Sequence, residues 1–147
     1  MSSEILDLSR SPVAIPVGFH GVPYNRDRYP GAPAVQGLDG GANCQHYPYE
    51  FLRHFGFIVP DFRSSDLWED TAYTSVAAHL QPFDLVLVNR TPRSFGGHVG
   101  VFLGDVGILH LSRAIGVPAI EKLAALTGRD AYRCFIGAKR CTRRRQP

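Results

Sequence analysis

Residues 1 to 42 carry Pro12, Pro16, Pro23, Pro30 and Pro33 together with Gly18, Gly21, Gly31, Gly37, Gly40 and Gly41. Proline denies its amide to hydrogen-bonded ladders and restricts the residue before it, so long helices are excluded from this arm. Phe19, Tyr24 and Tyr29 are spaced through it, and aromatic residues of this size imply an arm that packs on the rest of the chain. Regular structure must therefore come from the residues that follow.

A helix is expected first. Tyr47, Phe51, Leu52 and Phe55 form an apolar stripe at helical spacing, and Gly56 is a natural stop. Asn43 suits the cap, which would put Cys44 in the first turn, while Pro48 removes a donor and argues for a start one or two residues later. A loop and a short helix are expected around 64–78. After Pro82 the pattern changes to short β-rich runs at 84–88, 99–103, 107–111 and 132–136. Gly104-Asp105-Val106 reads as the turn of a hairpin, and Ile120 to Leu126 as a short helix ended by Gly128. One helix ahead of adjacent strands predicts an α+β fold, with a Cys-bearing helix on an antiparallel sheet of about five strands.

The 147 residues suit one domain spanning 1–147, with residues 1–20 as an N-terminal arm and 139–147 as a basic tail. Apolar residues at 44% and charged residues at 20% match a globular chain. Much of the modest +3 charge falls on Lys139, Arg140, Arg143, Arg144 and Arg145. These are expected to be solvated; no basic and aromatic stripe elsewhere supports a nucleic-acid partner. No apolar run reaches the roughly 18–20 residues of a membrane span. Met1–Asp7 shows no basic region followed by an apolar run, so a cytoplasmic location is expected, with export by a specialised route as the alternative. Three cysteines without framework spacing argue against a disulfide scaffold. Cys134 alternates within an apolar run and is expected in the core; Cys141 is read as incidental to the tail.

Cys44 follows Gly40-Gly41-Ala42-Asn43 and opens a helix. Free amides at a helix N-terminus favour a thiolate, the reactive form, and an imidazole nearby can take the proton. A buried inert cysteine is the equal alternative from local sequence. If the hairpin turn centres on Asp105, Gly100 faces His110 and His98 faces Ser112. His98 and His110 then share a face as diagonal neighbours roughly 7–8 Å apart at Cα. That geometry needs an odd-length loop or a bulge. It would supply a base and a group to orient it, as in a Cys–His–X triad. His46 lies close to Cys44, but zinc sites prefer tightly paired ligands and none are paired here, so no metal or other cofactor is expected. His20, His54 and His79 read as surface residues.

These residues occur in an order that resembles the NlpC-type cysteine peptidases, papain-like bacterial cell-wall endopeptidases. The family pattern is a Pro-Tyr element, a Gly-rich approach to a helix-opening cysteine, an Asp-Leu-Val strand, a His-Val-Gly strand and an Ile-His strand. The chain offers Val22-Pro23-Tyr24, Gly37-Leu38-Asp39-Gly40-Gly41-Ala42-Asn43-Cys44, Pro82-Phe83-Asp84-Leu85-Val86, His98-Val99-Gly100-Val101-Phe102-Leu103-Gly104 and Leu109-His110. The resemblance runs from about residue 20 to 126. It implies Cys44 as nucleophile, His98 as general base, His110 as the residue orienting that base, and Tyr24 beside the oxyanion; a merely packed Tyr24 is the alternative. Asn43, Gln45, His46 and Phe83 depart from the pattern, and the bulky Gln45-His46 pair alters the wall beside the nucleophile. The implied activity is cleavage of an amide or isopeptide bond, by default in a peptidoglycan stem peptide next to D-glutamate. A cysteine-dependent acyl transferase or amidase on a small molecule or peptide is a second expectation, and a non-catalytic binding module a third.

Overall fold

The computed structural model describes residues 8–11 and 13–146; Met1–Asp7, whose reading bears on export, lies outside the described residues, as do Pro12 and Pro147. The described α-helices and strands are α1 (His46–His54), α2 (Ser64–Glu69), β1 (Thr74–Val76), β2 (Leu85–Asn89), β3 (His98–Phe102), β4 (Ile108–Leu111), β5 (Pro118–Glu121), α3 (Leu123–Thr127) and β6 (Cys134–Cys141). The strands form one six-stranded sheet in the order β1-β6-β2-β3-β4-β5. Every neighbouring pair is antiparallel. The fold is thus α+β with an antiparallel sheet, one strand wider than expected.

Alternation along the central strands divides their side chains between two faces. Leu85, Leu87, Val99, Val101, Leu109 and Leu111 point to one side and join Tyr47, Phe51 and Leu52 of α1 with Phe19 and Val22 of the arm. Val86, Val88 and Ile108 point to the other, where Leu126 of α3 and the partly buried Phe102 and Tyr132 cover them. Both faces are covered, which is why these strands read as near-continuous apolar runs. Leu85, Leu87, Leu109 and Leu111 are fully buried, and each contributes about 1.5–3 kcal/mol by leaving water. The middle of the sheet is therefore a rigid support for whatever its ends carry.

Four expectations are corrected. First, the helix expected over 64–78 stops at Glu69, and 74–76 is strand β1. The Asp70 carboxylate accepts from the amides of Ala72 and Tyr73 and from the Thr74 hydroxyl, a local turn that competes with helix continuation. Second, Ile120 and Glu121 belong to β5, because pairing of Ala119 with His110 and of Ile120 with Leu109 overrides local propensity. The helix begins only at Leu123.

Third, the basic tail is not wholly a tail. Lys139 and Arg140 lie in β6; the buried Lys139 ammonium donates to the Trp68 and Asp70 carbonyls that close α2, and Arg140 pairs with the buried Asp84 carboxylate. Fourth, the two outer cysteines exchange places. Cys134 is half-buried at the start of β6, whereas Cys141 is buried in the core. Within the arm, Phe19 packs edge-on against Tyr47 and Phe51 as its aromatic character implied, but Tyr29 is 42% exposed.

Candidate active site

The Asn43 side-chain oxygen accepts from the amides of Gln45 at 3.0 Å and His46 at 2.8 Å, capping the approach to α1. The helix itself starts at His46, so Cys44 lies in the turn ahead of it, not in its first turn. Pro48 supplies the reason, since it has no amide with which to hold the Cys44 carbonyl in a helical bond. Cys44 is half-buried. Burial pushes its thiol up to about 11, and backbone donors at Val99 and at Cys44 itself offset only part of the shift. The expected helix-stabilised thiolate is not present; the resting sulfur is a thiol.

The arm brings Tyr24 to this turn. The Ala42 amide donates to Pro23 O at 3.1 Å and the Asn25 amide to Ala42 O at 2.9 Å, a short parallel bridge that sets Tyr24 beside Ala42. Gly41 makes the approach possible: its φ is +101°, and a Cβ there would sit 2.4 Å from Pro23 O. The tyrosine hydroxyl is held above its ordinary value by burial and by the neighbouring Cys44 sulfur, so it remains a donor at neutral pH.

Strands β3 and β4 carry the two histidines. Val101 pairs with Leu109 and Phe102 with Ile108. The connection is 103–107, an odd-length loop closed by the Leu103 amide on Gly107 O at 2.9 Å. This register places Gly100 across from His110 and puts His98 and His110 on one face, as expected. Gly100 leaves room for the facing strand, since a Cβ there would lie 2.4 Å from Ile108 Cγ2 and 3.2 Å from His110 Cβ. His98 Nε2 lies 2.9 Å from His110 Nδ1. The His98 ring also stacks on Tyr132, with centroids 4.4 Å apart and planes 18° from parallel. Burial, and then the electrostatic influence of the neighbouring His110 and Arg129, hold His98 well below 6.5. At neutral pH the pair is therefore a neutral thiol and a neutral imidazole.

A cavity of about 320 Å³ is lined by Tyr24, Cys44, His98 and Tyr132, together with Arg90 and Arg113. An adjoining hollow of about 470 Å³ shares Tyr24 and Arg113 but not Cys44 or His98. Gln45, a departure from the family pattern, donates to Gly97 O at 3.2 Å and ties the turn before α1 to the residue ahead of His98. Ser64 holds the same loop, donating to Ser94 O at 2.6 Å and accepting from the Gly97 amide at 2.9 Å. His46 turns elsewhere: it is buried, with Nε2 2.7 Å from Gly37 O. Among the described residues no group of three or more His, Cys, Asp or Glu side chains is placed to hold a metal ion. Nor is any described helix long and apolar enough to cross a membrane.

Three further residues complete the cluster, and sequence reasoning missed them. Glu121, fully buried at the end of β5, places Oε2 3.5 Å from His110 Nε2. That is ion-pair distance but longer than a formed hydrogen bond, and His110 Nε2 has no hydrogen-bond partner. Arg129 grips the same carboxylate with both arms, Nη1 to Oε2 at 2.8 Å and Nη2 to Oε1 at 2.5 Å. Burial raises the Glu121 carboxyl, but His110 and Arg129 outweigh it and hold the group below 4.5. Tyr132 is the third. Neither Glu121 nor Tyr132 carries a local signal: Ile120 to Leu126 suits a helix in isolation, and only the pairing of β5 with β4 brings Glu121 to His110. Set against known proteins, the chain matches no family model, and no curated protein or solved structure matches it.

Proposed function

We propose that this chain is a cysteine-nucleophile hydrolase that cleaves an amide or isopeptide bond, with Cys44 attacking and His98 as its base. The observation that carries the reading is the shared cavity: Cys44 and His98 both line it, and His98 Nε2 is held 2.9 Å from His110 Nδ1. A thiol, a base and a group that orients the base are the parts acyl transfer requires. The α1 helix led by Cys44, packed near strands that carry both imidazoles, supports the papain-like arrangement that the motif order resembles.

The neutral pair dictates the mechanism. As the sulfur bonds to the carbonyl carbon, its proton passes to the His98 nitrogen not engaged by His110, Nδ1. The oxyanion is met by the Cys44 amide and the Tyr24 hydroxyl. Collapse breaks the C–N bond, and the His98 imidazolium gives its proton to the departing amine. Water, deprotonated by the same imidazole, then cleaves the thioester and returns the thiol. On the resemblance, the substrate is a peptidoglycan stem peptide cut beside D-glutamate. Mass spectrometry of cell-wall fragments incubated with the protein tests this; cleaved stem peptides with wild type and none with Cys44→Ala are expected. Intact fragments with both would refute the substrate assignment.

One observation favours a competitor. A thiol near 11 has very little thiolate at neutral pH, which suits a non-catalytic binding module on the same scaffold. Labelling of Cys44 by an activated amide or ester at neutral pH separates the two, because only a base-assisted thiol acylates there at a useful rate.

A further inference from the structure

We infer that Glu121 is the positioning residue that sets which nitrogen of each imidazole carries the proton, and so leaves His98 Nδ1 bare. Glu121 is fully buried, and both of its oxygens are engaged by the Arg129 guanidinium at 2.8 and 2.5 Å. A carboxylate gripped in this bidentate way is ionised and can only accept. His110 Nε2 is buried, has no hydrogen-bond partner and faces Glu121 Oε2 at 3.5 Å. A bare lone pair aimed at a carboxylate is repulsive, whereas an N–H aimed at it is attractive, so His110 carries its proton on Nε2.

The rest follows by exclusion. Holding a single proton, on Nε2, His110 has a bare Nδ1, which must accept. Its partner at 2.9 Å, His98 Nε2, must then donate. Neutral His98 with Nε2–H has a bare Nδ1, the form that can take a proton from a thiol. When His98 is protonated during attack, the same hydrogen bonds persist, and the new positive charge is connected through His110 to an ionised carboxylate. Without Glu121, His110 could present Nδ1–H to His98, which would force His98 into the opposite tautomer with its proton on the wrong side. Arg129 keeps Glu121 charged, and Gly100 leaves room for the His110 side chain across from it.

The consequence for turnover rests on the hydrolase reading above; the tautomers themselves do not, and are measurable without substrate. The test is a two-bond proton–nitrogen NMR spectrum of the whole chain labelled with nitrogen-15 histidine at neutral pH. Wild type should show Nε2–H and bare Nδ1 on both His98 and His110. In Glu121→Gln, whose amide can offer N–H to His110, His98 should move toward Nδ1–H. Turnover should fall at least ten-fold while KM changes little. Glu121→Asp, which keeps a carboxylate, should preserve the wild-type tautomers if Arg129 still pairs with it. A proton on Nδ1 of either ring in wild type overturns the inference, whether or not Glu121→Gln folds. Unchanged tautomers in a folded Glu121→Gln also overturn it. Tautomers as stated in a protein that hydrolyses nothing would support the inference and refute the hydrolase reading instead.

Discussion

His98 and His110 meet through nitrogen atoms 2.9 Å apart, their rings nearly perpendicular at 89°. The contact crosses two strands that are hydrogen-bonded only further along, at Val101–Leu109 and Phe102–Ile108. It spends one nitrogen of His98 on a neighbouring ring inside the protein and leaves the other for chemistry. Tyr132 on the flat face of the same ring fixes its plane. The His98 ring is thus held from the edge and from the face, the preorganisation a proton acceptor would need before substrate arrives.

Removing the base and removing its support should differ in size. His98→Ala is expected to lower kcat/KM by ~10²–10⁴-fold, the usual worth of a positioned general base. His110→Ala should cost about 10–100-fold, the range for a residue that orients another. His110→Asn or His110→Gln should recover part of that loss, since an amide oxygen can still accept from His98. Equal losses in all three His110 variants, read by steady-state kinetics, would refute an orienting role.

The direction of the His98 shift sets a pH profile. Its folded value lies well below the ordinary 6.5, so the free base persists as pH falls through 6.5 and is protonated only further down. The acid limb of kcat/KM should therefore lie below 6.5. Stability should follow the same sign. Between the depressed folded value and 6.5 the unfolded chain binds a proton that the folded chain refuses, so stability is complete above 6.5 and is lost as pH falls below it. Thermal unfolding across this range should show the decline in wild type and a shallower one in His98→Phe. A kcat/KM limb centred at or above 6.5 would contradict the assignment.

The thiol sets a second profile. With Cys44 at about 11, alkylation by iodoacetamide in His98→Ala, where no base assists, should keep rising with pH toward that value. A plateau reached by neutral pH would mean a stabilised thiolate and would contradict the neutral-pair mechanism.

Gly100 offers a steric test away from any titrating group. A methyl group at this position would lie 2.4 Å from Ile108 Cγ2 and 3.2 Å from His110 Cβ. Gly100→Ala should cost about 1–3 kcal/mol, the usual penalty for overpacking, measured by denaturant unfolding, and should lower turnover by moving His110. Unchanged stability would mean that the two strands separate there more easily than their burial implies.

Much of the site was legible because its determinants are local. Asn43 before an apolar stripe marked the approach to α1, whose cap falls on Gln45, and Gly104-Asp105-Val106 marked a hairpin; the odd loop that puts both histidines on one face was one of two turns the sequence allowed. Pro48 warned that the helix would start late, and it does. The parts that were not legible depend on distant partners. Glu121 looked helical because Ile120 to Leu126 suits a helix in isolation; pairing of β5 with β4 decided otherwise. Lys139 and Cys141 looked like a solvated tail because their partners, Trp68, Asp70 and the main core, lie far back in the chain. The Cys44 thiol was misjudged for a related reason. A cysteine near a helix start invites a thiolate, but burial outweighs the few amides that reach the sulfur.

The central claim is that Cys44 forms the acyl intermediate. Peptide mapping by mass spectrometry after brief exposure to an activated acyl donor at neutral pH tests it most directly. The account predicts one acyl group on the peptide containing Cys44, little on Cys134 or Cys141, and a much slower reaction in His98→Ala. Acylation of Cys134 in preference, or an unlabelled Cys44 in folded wild-type protein, would contradict it.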